Sequence, residues 1–173
     1  MKTYFILTLV LLATTQSVYP QEETQPPCSS VEYSQFDFWL GEWTSYSADG
    51  KKQGTNHLIK MMGNCVMQEN WSSGGGKFRG TSYNYYNQAS KTWHQTWVDT
   101  SGSSLELAGG IVDGSMQLTG QRINDKAETV IDRITWTPLD EGRVRQHWQS
   151  STDDGKNWSE VFDGYYVKGS EEQ

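Results

Sequence analysis

Turn-forming residues interrupt this sequence at short intervals from Asp49 onward. The interruptions are DG at 49, MGN at 62, SSGGG at 72, NQASK at 87, TSGS at 100, VDGS at 112, PLDEG at 138 and TDDGKN at 152. The segments between them are rich in β-branched and aromatic residues, and none has the period of a helix. They predict ten strands, at about 42–48, 54–61, 64–71, 77–86, 91–99, 103–110, 115–122, 128–137, 142–151 and 156–167.

Short links between the strands favour pairing of consecutive strands as hairpins, in an up-and-down antiparallel order. A sheet of this kind that stayed open would expose two edges, whereas closure removes both. We therefore predict an all-β fold, an up-and-down barrel of about ten strands. A two-sheet sandwich is the alternative.

The stretch FDFWLGEW, residues 36–43, places four aromatic rings just before and at the start of the first predicted strand. A ring cluster at this position is expected to form a short 3₁₀ turn that plugs one end of the barrel. Gly41 would let the backbone bend into the strand, since glycine tolerates conformations that other residues do not. The indole of Trp43 would then cap the interior.

The N-terminus has the pattern of a secretion signal: Lys2, the apolar run YFILTLVLLA and small residues before a predicted cleavage point between about Ser17 and Gln21. The run is too short to span a bilayer. We predict a signal peptide at 1–19, a disordered leader at 20–32, one barrel domain at 33–168 and a flexible tail at 169–173. The mature protein would be extracellular, with no membrane anchor.

Secretion would favour a disulfide between the two cysteines, because thiols pair in an oxidising compartment. Cys28 and Cys65 are expected to form a disulfide that ties the leader to the barrel wall; two free thiols are the alternative. The sequons at Asn70 and Asn157 predict glycosylation and surface positions.

The negative charge of the chain disfavours two classes of partner. Lys and Arg number 14 against 21 Asp and Glu, which gives a formal net charge of -7. Nucleic acids and acidic lipid headgroups are therefore poor partners. The sequence does not indicate an oligomeric state.

Alternation along the strands predicts which side chains line the interior. If Asn70 carries a glycan and points outward, Glu69 and Trp71 point inward. Trp93 and Trp97 are predicted to point inward, because leaving both indoles exposed would forgo the favourable free energy of burying their apolar surface. The predicted ligand-binding residues are Trp71, Tyr83, Tyr85, Trp93, Gln95, Trp97, Asp132, Trp136, Gln146 and Trp148. Tyr85 is expected opposite Trp93, and Tyr83 opposite Gln95.

Glu69 is the candidate catalytic residue. A carboxylate inside an apolar barrel must be paired, hydrogen-bonded or shifted to a higher pKa. It would act as a general base; a buried salt bridge to Arg79 or Arg122 is the alternative interpretation. The same alternation sends Arg143 and Arg145 outward, so the cavity suits a neutral, largely apolar ligand better than a fatty acid.

The sequence contains no pattern for a metal or a cofactor. His57, His94 and His147 lie on different predicted strands without zinc-ligand spacing. No P-loop, dinucleotide fingerprint or nucleophile elbow is present. We predict no bound cofactor and no metal; haem held by His94 or His147 would require an inward histidine.

Gly41 and Trp43, in the arrangement Gly-x-Trp at the start of the first strand, resemble the calycin superfamily of lipocalins and fatty-acid-binding proteins. FDFWLGEW together with GNCVMQENW, GTSYNYYN, KTWHQTWVD, RITWTPL and VRQHW is similar to the secreted calycin-like family called domain of unknown function 1579. The resemblance covers nearly all of 33–167 and implies a fold without an activity. A further resemblance, to a secreted light-emitting oxygenase, implies oxidation of a terpenoid-like substrate by O₂.

Three functions follow. The first is a secreted carrier of a small hydrophobic ligand. The second is a cofactor-independent monooxygenase, luciferase-like, in which Glu69 removes a proton from the bound substrate. The third is a structural secreted module whose barrel is filled by its own side chains.

Overall fold

A computed structural model of the protein describes residues 25–169. The predicted signal peptide, residues 20–24 of the predicted leader and residues 170–173 of the predicted tail lie outside this range. Within it the ten predicted strands are present, and the start of the last one differs most from the prediction, at 159 instead of 156. The strands are β1 Gly41–Ser47, β2 Lys52–Met61, β3 Val66–Ser73, β4 Arg79–Asn87, β5 Thr92–Asp99, β6 Ser104–Val112, β7 Ser115–Ile123, β8 Thr129–Pro138, β9 Val144–Ser151 and β10 Ser159–Lys168.

The strands form a closed antiparallel barrel in which each strand pairs with its neighbours in sequence. β1 also pairs with β10, with Trp43 opposite Lys168 and Ser47 opposite Gly164. This pair closes the barrel, so the predicted up-and-down barrel is confirmed and the two-sheet sandwich is not found. Closure satisfies the backbone of strands that would otherwise be edges.

Short 3₁₀ helices precede the first strand, at Val31–Ser34 and Asp37–Trp39. We call residues 31–40 the plug and the barrel end that they cover the plugged end. The opposite end, where the β3–β4 and β5–β6 turns lie, is the open end. Lys60 of β2 fastens the plug, because its Nζ donates to the Tyr33 carbonyl at 2.6 Å and lies 2.7 Å from Asp37 Oδ1.

The plug closes its end of the barrel with stacked rings. Phe36 and Trp39 are both fully buried. The Trp39 ring centroid lies 5.2 Å from that of Phe36, 5.1 Å from that of Trp136 and 5.7 Å from that of Tyr166. Gly41 adopts a φ of 121°, which lets the chain turn from the plug into β1. The Trp43 indole then donates to the Trp39 carbonyl at 2.9 Å.

Cys28 and Cys65 form the predicted disulfide, which joins the segment before the plug to the β2–β3 turn. The bond indicates an oxidising environment. Val31 and Glu32, which the sequence places in a disordered leader, belong to the first 3₁₀ helix. Among the described residues, no helix combines the length and apolar character needed to cross a bilayer.

The predicted direction of the β4 side chains is wrong. Tyr83 is 44% exposed on the outer face, and Tyr85 stacks against His94 there, with ring centroids 5.3 Å apart. Trp93 lies opposite Tyr86, one position away from the predicted Tyr85. The inner face of β4 carries Ser82, Asn84 and Tyr86 instead.

Two features of the chain fix this register. The β4–β5 link is one residue longer than the predicted register allows, since Asn87 pairs with Thr92 and residues 88–91 lie between them; the Asn87 side-chain oxygen accepts from the Ala89 amide at 2.9 Å. In addition, Ser82 donates to the buried carboxylate of Glu69. A polar inner face on β4 satisfies that carboxylate, whereas a pair of tyrosines would leave it without this donor.

Candidate functional site

A cavity of about 240 Å³ occupies the interior above the plug and opens at the open end. The barrel is therefore not filled by its own side chains. Seven of the eleven predicted catalytic and ligand-binding residues line the cavity. They are Glu69, Trp71, Gln95, Trp97, Trp136, Gln146 and Trp148.

The other four predicted residues lie elsewhere. Trp93 points inward but packs against the plug, where its Nε1 donates to Gln35 at 3.1 Å and its ring contacts Phe36. Asp132 points inward, is 1% exposed and lies behind Trp148. Tyr83 and Tyr85 are on the outer face, so neither can contact a ligand in the cavity.

Two tryptophans on the cavity wall are held by aspartates. The Trp97 Nε1 donates to Asp99 at 3.0 Å, and the Trp148 Nε1 donates to Asp132 at 2.8 Å. Gly80 faces the Trp97 ring so closely that a β-carbon there would overlap it. Because hydrogen bonds orient both indoles, their faces form a fixed apolar wall.

Glu69 lies deep in the barrel within a network of polar side chains. It is 4% exposed, and its two oxygens accept from Asn56 Nδ2 at 2.8 Å and from Ser82 Oγ at 2.7 Å. Asn84 in turn donates to Ser82 at 2.9 Å, and Gln95 donates to Asn84 at 2.8 Å. The donors all point toward Glu69, so the carboxylate needs no cation to satisfy its oxygens.

The environment of Glu69 changes its acidity. Burial raises the pKa of this carboxyl to about 7, against the opposing effect of the hydrogen bonds from Ser82 and Asn56. A carboxyl with a pKa near neutrality exists in both protonation states at physiological pH, which is the property required of a general base. The salt bridge to Arg79 or Arg122 considered above is not formed: Arg122 pairs with Asp132, and Arg79 Nε donates to the Gly76 carbonyl.

Tyr166 and Ser45 line the same cavity, although neither is predicted from the sequence. Burial raises the pKa of the Tyr166 hydroxyl well above its usual value, with a smaller contribution in the same direction from the charge of Glu69. The neutral hydroxyl donates to Gln146 Oε1 at 2.7 Å. The FDGYYVK sequence has adjacent tyrosines, so alternation alone cannot tell which one points inward.

Two buried polar atoms of residues that line the cavity have no hydrogen-bond partner in the described protein. They are the Ser45 hydroxyl and the Trp136 Nε1. Ser45 is 1% exposed, and its strand neighbour across the β1–β10 pair is Tyr166. Each is a donor whose partner is missing, and a buried polar group without a partner is unfavourable.

The predicted glycosylation sites have the exposure that modification requires. Asn70 and Asn157 are both exposed, the first on the outer face of β3 and the second in the β9–β10 turn. Each position is compatible with a glycan, and glycosylation stays a prediction.

The described residues bring one group of potential metal ligands together: His147, Glu160 and Asp163 on the outer face, with ligand atoms within 4.8 Å of one another. Arg145 donates to both oxygens of Asp163 at 2.7 Å. The guanidinium therefore already occupies that carboxylate and adds a positive charge that disfavours a cation.

The chain matches no model of a known protein family, and no curated protein is similar to it. Membership of the domain of unknown function 1579 family stays a prediction based on the residues quoted above.

Proposed function

We propose that this protein is a secreted barrel that binds a small, neutral, largely apolar molecule in its cavity. The observation that supports this proposal best is the cavity itself, whose wall is largely apolar and includes the indoles of Trp71, Trp97 and Trp148. The apolar part of a ligand would contact the indole faces, while its polar group would meet the few polar side chains of the lining, among them Gln95 and Gln146. Ligand sites commonly combine an apolar lining with a few such polar groups.

The composition of the cavity wall supports a neutral ligand. In the described part of the chain, no Lys, Arg or His lines the cavity, whereas Glu69 and Asp99 do. An anion would therefore enter an apolar space with carboxylates and no cation to pair with. The cavity volume of about 240 Å³ lies below the range of roughly 300–1,000 Å³ of pockets for drug-sized molecules. The ligand is therefore small or extends through the open end.

Binding is tested with an apolar fluorescent probe, N-phenyl-1-naphthylamine, through its own emission and the quenching of tryptophan. We expect saturable binding that Leu105→Trp reduces at least about tenfold, since the larger ring fills part of the cavity. Val112→Trp is the matched control, because this residue of β6 is exposed. A wild-type protein that binds no probe, or a Leu105→Trp variant that binds as well as Val112→Trp, would contradict the proposal.

A second function is favoured by the acidity of Glu69: a cofactor-independent oxygenase that uses the same cavity. We propose that the Glu69 carboxylate accepts a proton from a carbon next to a substrate carbonyl, leaving the C–H electron pair as an enolate. O₂ adds to the enolate carbon with that electron pair, and the resulting peroxide anion recovers the proton from Glu69. One substrate and one O₂ thus give one hydroperoxide, whose breakdown can supply the energy for light.

The resemblance to the secreted luciferase of a freshwater limpet suggests the substrate class, a terpenoid-like molecule. A dry cavity would also protect an emitting product from water. The proposal gives Glu69 the role of general base and gives the wall tryptophans the role of binding the apolar body.

The catalytic role is tested by oxygen uptake and light emission with terpenoid enol or aldehyde substrates. Glu69→Gln should lower turnover about 100-fold or more while the fluorescent probe still binds, since general-base catalysis typically contributes that much. Glu106→Gln on the exposed face of β6 is the matched control and should keep full turnover. Normal turnover by Glu69→Gln would exclude this residue as the base without affecting the proposal of binding.

A further inference from the structure

Arg122 has no role in the proposed function, although its side chain is on the inner face of the barrel. It lies near the end of β7 at the open end, on the same face of the strand as the buried residues Met116 and Leu118. An inward arginine near the open end of a barrel is a suitable partner for a carboxylate ligand, because a guanidinium can donate two parallel hydrogen bonds to a carboxylate.

The protein already supplies that carboxylate. Arg122 Nε donates to Asp132 Oδ2 at 2.7 Å, and Asp132 is 1% exposed. The other Asp132 oxygen accepts from Trp148 Nε1 at 2.8 Å. Asp132 therefore links the arginine to a tryptophan of the cavity wall, and both of its oxygens are engaged.

This arrangement has an electrostatic consequence. With Asp132 in place, the arginine and its carboxylate form a neutral pair, and the carboxylates that line the cavity, Glu69 and Asp99, have no cation beside them on its wall. An anionic ligand would lose its hydration without gaining a counter-charge, which is costly in a low-dielectric space. A neutral ligand does not meet this penalty.

We infer that Asp132 is a specificity-determining residue: by holding Arg122 it excludes anionic ligands, and by accepting from Trp148 it fixes the wall against which a neutral ligand packs. This inference rests on the proposed binding function. Removing the negative charge of Asp132 releases the guanidinium and turns the barrel into a binder of apolar carboxylates.

The test uses two competitors of nearly equal size, 1-decanol and decanoate, at pH 8, where decanoate is ionised. Each displaces N-phenyl-1-naphthylamine from the full-length protein. For the wild type we expect decanol to bind at least about tenfold more tightly than decanoate, since an unpaired charge is unfavourable in the cavity. In Asp132→Asn this ratio should fall by about tenfold or more through tighter binding of decanoate, because a charge-assisted hydrogen bond to Arg122 becomes available.

The control is the double variant Arg122→Gln with Asp132→Asn. It keeps an acceptor for Trp148 but has no charge at either position, so the ratio should return to the wild-type value. An unchanged ratio in Asp132→Asn, or the same altered ratio in the double variant, would overturn the inference.

Far-ultraviolet circular dichroism checks that Asp132→Asn is folded. If it is not, Asp132→Ser, which also removes the carboxylate beside Arg122, is used in the same competition experiment. A failure of the proposed function has a different signature, because the wild type would then bind neither the probe nor decanol.

Discussion

The two ends of the barrel use the same kind of side chain for opposite purposes. At the plugged end Trp39 and Trp136 are 0% and 1% exposed and pack against each other and against Phe36, which stacks on Trp39 and meets Trp136 edge-to-face. At the open end Trp97 and Trp148 are only partly buried, and an aspartate binds each indole nitrogen.

The difference lies in what the N-terminal segment supplies. Phe36 and Trp39 of the plug bring extra ring surface to one end, so the tryptophans of the strands there become core. At the other end no such segment enters in the described chain, and hydrogen bonds to aspartates replace ring stacking as the means of orienting the indoles. A tryptophan on an inner strand position is therefore core or cavity wall according to the end of the barrel at which it lies.

The largest effect is expected from removing a plug ring. Trp39→Ala should lower the free energy of unfolding by about 3–5 kcal/mol, since it deletes a fully buried indole with three ring neighbours. Trp97→Ala, the same change at the open end, should cost about half as much, because one side of that ring already faces the cavity. Urea unfolding measures both, and equal losses would show that the two ends are packed alike.

The next largest effect is expected from removing the disulfide, which joins the segment before the plug to the β2–β3 turn. Replacing both cysteines, Cys28→Ser with Cys65→Ser, should destabilise the protein by about 3–4 kcal/mol on the chain-entropy model. The open end should be unaffected, so the folded variant should bind N-phenyl-1-naphthylamine as the wild type does. Thermal unfolding and probe titration test these two statements. Loss of probe binding by a fully folded variant would mean that the plug also shapes the cavity.

The strands and their closure could be predicted because their signals are local. Turn residues at short intervals and the hairpin links determine ten strands and their order without knowledge of the interior. The plug was predictable for a similar reason, since three aromatic rings directly before the first strand are most easily buried at the adjacent end of the barrel. The disulfide followed from having two cysteines and an expected oxidising environment.

The inner face was predictable only where hydrophobicity decided it. The pairs Trp93 with Trp97 and Ile134 with Trp136 point inward as expected. On β4 the choice depended on Glu69, a residue of the neighbouring strand that requires polar partners, and the tyrosines were placed on the wrong face. The pairing of Arg122 with Asp132 could not be predicted either, because the register of β7 and β8 alone brings these two residues together. Long-range polar pairing leaves no periodic signal in a single sequence.

Glu69, buried in the barrel interior, should make stability depend on pH. Its pKa is about 7 in the folded protein against 4.5 for an ordinary glutamate, so between these values the folded protein holds a proton that the unfolded chain has lost. Stability should therefore be greatest below about pH 4.5 as far as Glu69 is concerned, and fall by about 3 kcal/mol as the pH rises through 7.

The measurement is the difference in unfolding free energy between wild type and Glu69→Gln from pH 4 to pH 8. Taking the difference removes the contributions of the other carboxyls, and Glu106→Gln controls for the loss of an exposed charge. Glu69→Gln should be the relatively more stable form at pH 8 and lose that advantage at pH 4. A difference that does not vary with pH would mean that Glu69 does not have a raised pKa.

The smallest effect is expected at the open end, from Trp148→Phe. The substitution keeps an aromatic ring on the wall but removes the indole donor to the buried Asp132. One carboxylate oxygen then lacks a partner, which should lower the unfolding free energy by about 1–2 kcal/mol. The same substitution in an Asp132→Asn background should cost less, since an amide oxygen is less costly to leave without a donor than a carboxylate oxygen. A double-mutant cycle by urea unfolding measures this coupling, and simple additivity of the two changes would show that Asp132 does not depend on Trp148 for its stability.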